Sequence, residues 1–136
     1  MPMATLRLVP RREANATHAW EFYDFVVDGQ SLLEQATGGT SVLGCHIGND
    51  ERCDFLLLRR HDVQLEAGQV ALYVCSECGD YGCGLTVATV ERRGDRIVWS
   101  DFADLDWNHR VRRPVAGLGP FEFDAVEYEA AIDAVR

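Results

Sequence analysis

The residue pattern predicts an α+β fold built on an antiparallel sheet, and three observations carry that expectation. Three β-rich stretches, residues 70–75, 85–90 and 97–102, follow one another in the order of a three-strand meander. The chain closes with a capped helical segment, about residues 125–135, whose Tyr128, Ala131, Ile132 and Val135 fall on one stripe. No β–α–β alternation of the kind that builds a parallel sheet occurs anywhere in the sequence.

Each element follows from local chemistry. Residues 4–9 alternate and read as a short strand, ended by Pro10 and two arginines. Residues 20–27, aromatic and β-branched, predict a second strand that Asp28-Gly29 turns. Ser31 and Glu34 form a capping box, so a short helix near the N-terminal third is expected, closed by Gly38-Gly39. Residues 40–54 mix Gly, Asn, Asp and Cys and read as a loop with at most a helical turn, and residues 55–58 are an apolar run of either type. Arg93-Gly94-Asp95 turns the second meander strand into the third. Residues 104–119 are polar, Arg-rich and marked by Gly and Pro, which predicts a long loop. Residues 121–123 are a last extended stretch, after which Asp124 caps the final helix with Glu127 in the reciprocal position. Leu72, Val74, Val87, Trp99, Phe123 and Tyr128 are the expected core; Trp20 and Trp107 read as core or core-edge residues, with an exposed contact as the alternative for Trp107.

At 136 residues the chain has the size of one domain, residues 1–136, and its 47% apolar and 26% charged residues are ordinary for a globular protein. No apolar run approaches the roughly 20 residues that span a bilayer. The first residues lack the apolar stretch of a signal peptide, so a soluble cytoplasmic protein is expected, without a membrane partner. A formal charge of −9 argues against nucleic acid as partner and suits docking to a basic protein. All thirteen basic residues are Arg, which excludes Schiff-base lysine chemistry and the phosphate-binding lysine of a P-loop. Genomic base composition accounts for that bias.

Five cysteines are an odd number, and three of them fall within nine residues, Cys75-Ser76-Glu77-Cys78-Gly79-Asp80-Tyr81-Gly82-Cys83. Crowded cysteines in an intracellular chain point to metal or redox chemistry rather than to a disulfide framework. Two predicted strands flank the loop, where a zinc knuckle would sit. Gly79 allows both sulfurs of the Cys-x-x-Cys to turn onto one ion, and Gly82 and Gly84 allow Cys83 to return to the same point. Tetrahedral zinc takes four ligands, and the candidates for the fourth are Cys45, Cys53, His46, His61, a water or another chain.

Two other readings compete with the metal. Thiols packed in a tight turn as small hydrophobes rank second. Thiol exchange ranks third, because a redox Cys-x-x-Cys opens a helix whereas a strand follows here, and because Glu77 and Asp80 disfavour a bare thiolate. The spacing inverts that of plant-type iron–sulfur proteins. The zinc-deaminase pattern fails as well: Val74 stands where Pro is required, and after His18 the nearest acid, Glu21, is one residue too far.

The remaining polar groups are weaker. Asp101, Asp104 and Asp106 with Trp107, Asn108 and His109 suggest a carboxylate site but read better as a solvated loop. Arg110, Arg112 and Arg113 read as local charge pairs, and Cys45-His46 as chance neighbours rather than a nucleophile. No catalytic signature is present, so a non-enzymatic module is expected.

The cysteine hairpin, residues 72–84, together with residues 97–102 and the ending at 119–131, resembles a group of small bacterial proteins without an established function. The resemblance implies only that Cys75, Cys78 and Cys83 belong together, with Cys45 and Cys53 outside the shared pattern. Three functions are therefore in play: a binding module with a zinc-carrying hairpin, an acidic immunity-type partner of a basic toxin with the hairpin as scaffold, and a thiol-based oxidoreductase.

Overall fold

Near-continuous burial marks the central strands of the computed structural model, which describes residues 3–35, 39–44, 48–77, 81–106 and 111–136. The meander is present: β5 (Gln69–Val74), β6 (Leu85–Arg93) and β7 (Arg96–Asp106) pair antiparallel in sequence order. It is the centre of a larger sheet. β4 (Thr40–Ser41) adds to the outer edge of β5. The free edge of β7 takes two partners, β9 (Phe121–Asp124) along residues 96–99 and β8 (Val111–Pro114) along residues 103–106. Two partners fit on one edge because β7 is interrupted by a bulge near Asp101, whose φ is 55°.

A second sheet of β1 (Leu6–Ala14), β2 (Ala19–Val27) and β3 (Gln30–Ser31) lies beside the first. β1 runs straight through Pro10, where the sequence predicts its end. It is an edge strand, and there an imino acid costs no ladder hydrogen bond. The two sheets are tied where Tyr23 donates its N–H to Leu43 O at 2.9 Å and Ser41 Oγ donates to Tyr23 O at 2.6 Å.

The helix expected at Ser31–Glu34 does not form; only a single 3-10 turn, Leu33–Gln35, follows β3. Ser31 Oγ, the expected cap, accepts from the Leu33 N–H of that turn at 3.2 Å and donates to the buried Asp24 carboxylate at 2.5 Å. The first α-helix is α1 (Asn49–Leu56), in the stretch expected to be loop. It starts from Gly48 at φ 89° with no side-chain cap, so the usual start signal is missing. Strand β8 likewise occupies part of the predicted 104–119 loop, held by Arg112 and Arg113 reaching Asp101 and Asp106.

The final helix, α2 (Ala125–Asp133), forms as predicted, with Glu127 N–H donating to Asp124 Oδ2 at 3.0 Å. Its Tyr128 and Ile132 are buried. All six residues of the expected core are buried, and Trp99 is its hub, with the rings of Phe25, Phe123 and Tyr128 at 5.6, 5.1 and 6.0 Å. Among the described residues no helix is long and apolar enough to cross a membrane.

Three buried phenols give the fold a defined alkaline limit. Burial pushes Tyr73, Tyr81 and Tyr128 far above the ordinary tyrosine value, and Asp24 beside Tyr73 and Asp62 beside Tyr81 add to it. The folded chain therefore keeps protons that the unfolded chain releases above about pH 10. Stability is full below that value and is lost as pH rises past it, by about 1.4 kcal/mol per pH unit for each phenol that only the unfolded chain ionises. Urea midpoints measured through this range should fall steeply; a flat profile would contradict the burial of these hydroxyls.

Candidate metal centre

The cysteine loop is closed at its base by the pairing of Val74 with Leu85, the last pair of β5 with β6. Cys75 is the first residue beyond that pair and is half-buried. Cys83 ends the short 3-10 turn Tyr81–Cys83 and is exposed. Cys78, with Gly79 and Asp80, lies outside the described residues. Both described sulfurs thus sit at the rim of the sheet rather than in its core.

Two clamps hold this loop. On one side Tyr81 is buried and donates its hydroxyl to Asp62 Oδ2 at 2.7 Å. Asp62 is itself fixed by the Gln64 N–H at 3.0 Å, and Arg52 lies 5.9 Å over the Tyr81 ring. The turn closes where Gly84 N–H donates to Tyr81 O at 3.2 Å. Gly84 has φ 130°, and a Cβ there would stand 3.1 Å from Asp106 Oδ1, so glycine is required.

On the other side Gly39 donates its N–H to Val74 O at 3.0 Å. A Cβ on Gly39 would lie 2.6 Å from Ser76 Oγ, so this approach also needs glycine. Trp20 Nε1–H donates to Gly39 O at 3.1 Å. The His18 ring packs 4.9 Å from the Trp20 ring, with Nε2 3.4 Å from Ser76 O. The start of β2 is therefore folded against the residue that follows Cys75.

The proposed fourth ligands have different fates. Cys45 and His46 lie outside the described residues. Cys53 is fully buried within α1, and burial pushes its thiol up, so it packs as a small hydrophobe. His61 is exposed and lines a groove with Gly68 and Val70, at the opposite end of β5 from Cys75. At about 3.3 Å per strand residue, Val70 and Cys75 are some 16 Å apart. Among the described residues no three His, Cys, Asp or Glu side chains form a metal-binding group. Cys78 is not among them.

The other polar residues separate. Asp101 faces Arg112 at 3.3 Å, Asp106 is paired with Arg113, and the buried Asp104 accepts from Thr86 Oγ1 at 2.6 Å. Trp107, Asn108, His109 and Arg110 lie outside the described residues. Trp20 is half-buried, and Trp99 is core.

Sequence reasoning missed one buried polar network. Asp24, 2% exposed, accepts from Tyr73 Oη at 2.7 Å, Ser31 Oγ at 2.5 Å and Arg11 Nη1 at 3.2 Å. The signal was a carboxylate in step with Phe22 along a strand, which puts both on one face. An open groove of about 280 Å³ runs beside it along Arg11, Arg12, Glu21 and Tyr23. Its arginines are held by Glu13, Asp24 and Glu21.

Comparison with known proteins returns no match: no family model, no curated protein and no solved structure is similar to this chain.

Proposed function

We propose that this chain is a non-enzymatic binding module whose hairpin is a zinc knuckle, with Cys75, Cys78 and Cys83 as ligands. The observation that carries the reading is the closure of the loop by Val74 and Leu85, with Cys75 and Cys83 following on the two sides of that pair and outside the core. Cys53, the described cysteine that packs in the core, shows what a purely structural thiol looks like in this fold. Zinc prefers such thiolates, and a divalent cation offsets the charge that Glu77 and Asp80 bring to the loop. The clamps on Tyr81 and Gly39 supply the support that orients ligands around a metal.

The macromolecular partner in this reading is basic. Most arginines are held in ion pairs within the chain, including Arg59 with Asp133, Arg92 with Glu129 and Arg136 with Asp54. The net −9 charge is therefore presented by carboxylates such as Glu66, Glu77 and Glu127. An immunity-type protein facing a basic toxin fits the same charge without needing the metal.

Elemental analysis of the full chain, purified without tag or chelator, separates these readings. One zinc per chain is expected in the wild type, and Cys78→Ser should lose it. Zinc-free wild type, with thermal stability indifferent to chelator, would leave the hairpin as scaffold.

A further inference from the structure

We propose that the groove beside the end of α1 is the contact face of a homodimer, covered by the same face of a second copy of this chain. One residue on its rim is doubly unfavourable in a lone chain. Helix α1 closes with Leu58 N–H donating to Phe55 O at 3.1 Å and Arg59 N–H donating to Asp54 O at 2.9 Å. That closure puts Leu58 at φ 60°, the left-handed position that glycine suits and a leucine occupies under strain. The same side chain is 38% exposed, and Val63, next to the groove-lining Asp62, is 89% exposed.

The groove itself is suited to apolar atoms from outside. It encloses about 260 Å³ between the end of α1 and the start of β5. Phe55, Leu58 and Val70 are its apolar lining, and Arg59 and Arg60 its charged one. The Arg60 guanidinium stands 5.9 Å over the Phe55 ring. Two copies facing each other across a twofold axis each offer Leu58 to the other's groove, so the strained and exposed residue becomes a buried one.

Charge selects a second copy as the occupant. The chain carries −9, and over most of its surface a copy is repelled. Around this groove cations and carboxylates stand side by side: Arg59 faces Asp133 at 3.6 Å and Arg60 faces Glu51 at 3.3 Å. All four side chains are about half exposed, so the pairs contribute little within one chain and are exchanged at small cost. A purely basic rim would call for an acidic partner, whereas a rim with both signs is complementary to itself. In the dimer Arg60 of one protomer meets Glu51 of the other, and the twofold axis repeats the pair.

Sedimentation equilibrium of the full chain, with reductant present and over a wide concentration range, tests the proposal. The mass should rise from one chain to two. Leu58→Gly should act in opposite directions on fold and contact. Its thermal midpoint in the dilute, monomeric state should rise as the backbone strain is relieved, while the dimer Kd weakens roughly tenfold, the effect of truncating an interface anchor. Arg60→Glu and Glu51→Arg should each be monomeric alone and dimerise when mixed, because only the mixture restores opposite charges across the axis. A chain monomeric throughout, a dimer untouched by Leu58→Gly, or charge variants that stay apart when mixed would overturn the proposal.

Discussion

Replacing Tyr128 by Ala should destabilise the protein by about 3–5 kcal/mol, the range for emptying a large aromatic from a packed core. Tyr128 is 1% exposed and packs edge-on against Trp99. Its hydroxyl donates to Leu56 O at 2.8 Å and accepts from Trp99 Nε1 at 3.2 Å. That one oxygen connects α2, the end of α1 and the central strand β7. Tyr128→Phe keeps the ring but orphans both buried partners, and should cost about 1–3 kcal/mol. Urea denaturation of the two variants checks both values, and a wild-type midpoint for Tyr128→Phe would mean that the hydroxyl contributes nothing.

Asp24→Ala should be the second costly change, at about 3 kcal/mol, because removing one member of a buried charged network leaves its partners unsatisfied. Tyr73 is 1% exposed and would lose the acceptor of its hydroxyl, while Ser31 would lose the contact that fixes β3. Arg11 is only partly buried and bonds Glu13 as well, so it contributes less to the loss. Asp24→Asn retains an acceptor for Tyr73 and should cost about 1 kcal/mol. Denaturation midpoints that place Asn as low as Ala would show that the charge, and not the hydrogen bond, matters here.

These two positions also show where the sequence was legible. The Tyr128 stripe could be read because Asp124 advertises the start of its helix and the apolar spacing is helical. The meander could be read because β6 and β7 are long, β-branched and joined by a tight turn at Gly94. Helix α1 could not, since Asn49 stands where a cap is expected but bonds Gly44 N–H and Val135 O instead. Ser31 misled for the converse reason: a residue with cap chemistry was recruited by Asp24 across the sheet. Strand β8 has four exposed residues and no apolar alternation, and its pairing depends on arginines meeting aspartates on β7.

The candidate site divides the same way. The cysteine spacing is local and visible in a nine-residue window, as are the glycines that permit the turn. The Asp62 latch on Tyr81 and the approach of His18 to Ser76 are not. They are contacts between elements far apart in sequence, created by sheet pairing, and no spacing rule encodes them. His18 was read only against a deaminase motif, and failing that motif concealed its position beside the hairpin.

The most direct measurement is the native mass of the full chain, sprayed from a volatile buffer after purification without chelator. One zinc per chain is predicted, with the mass deficit of the protons displaced from the hairpin thiols, and with Cys75, Cys78 and Cys83 protected from alkylation until the metal is removed. A metal-free mass, with all three hairpin cysteines alkylated at once in the folded protein, would contradict the zinc knuckle.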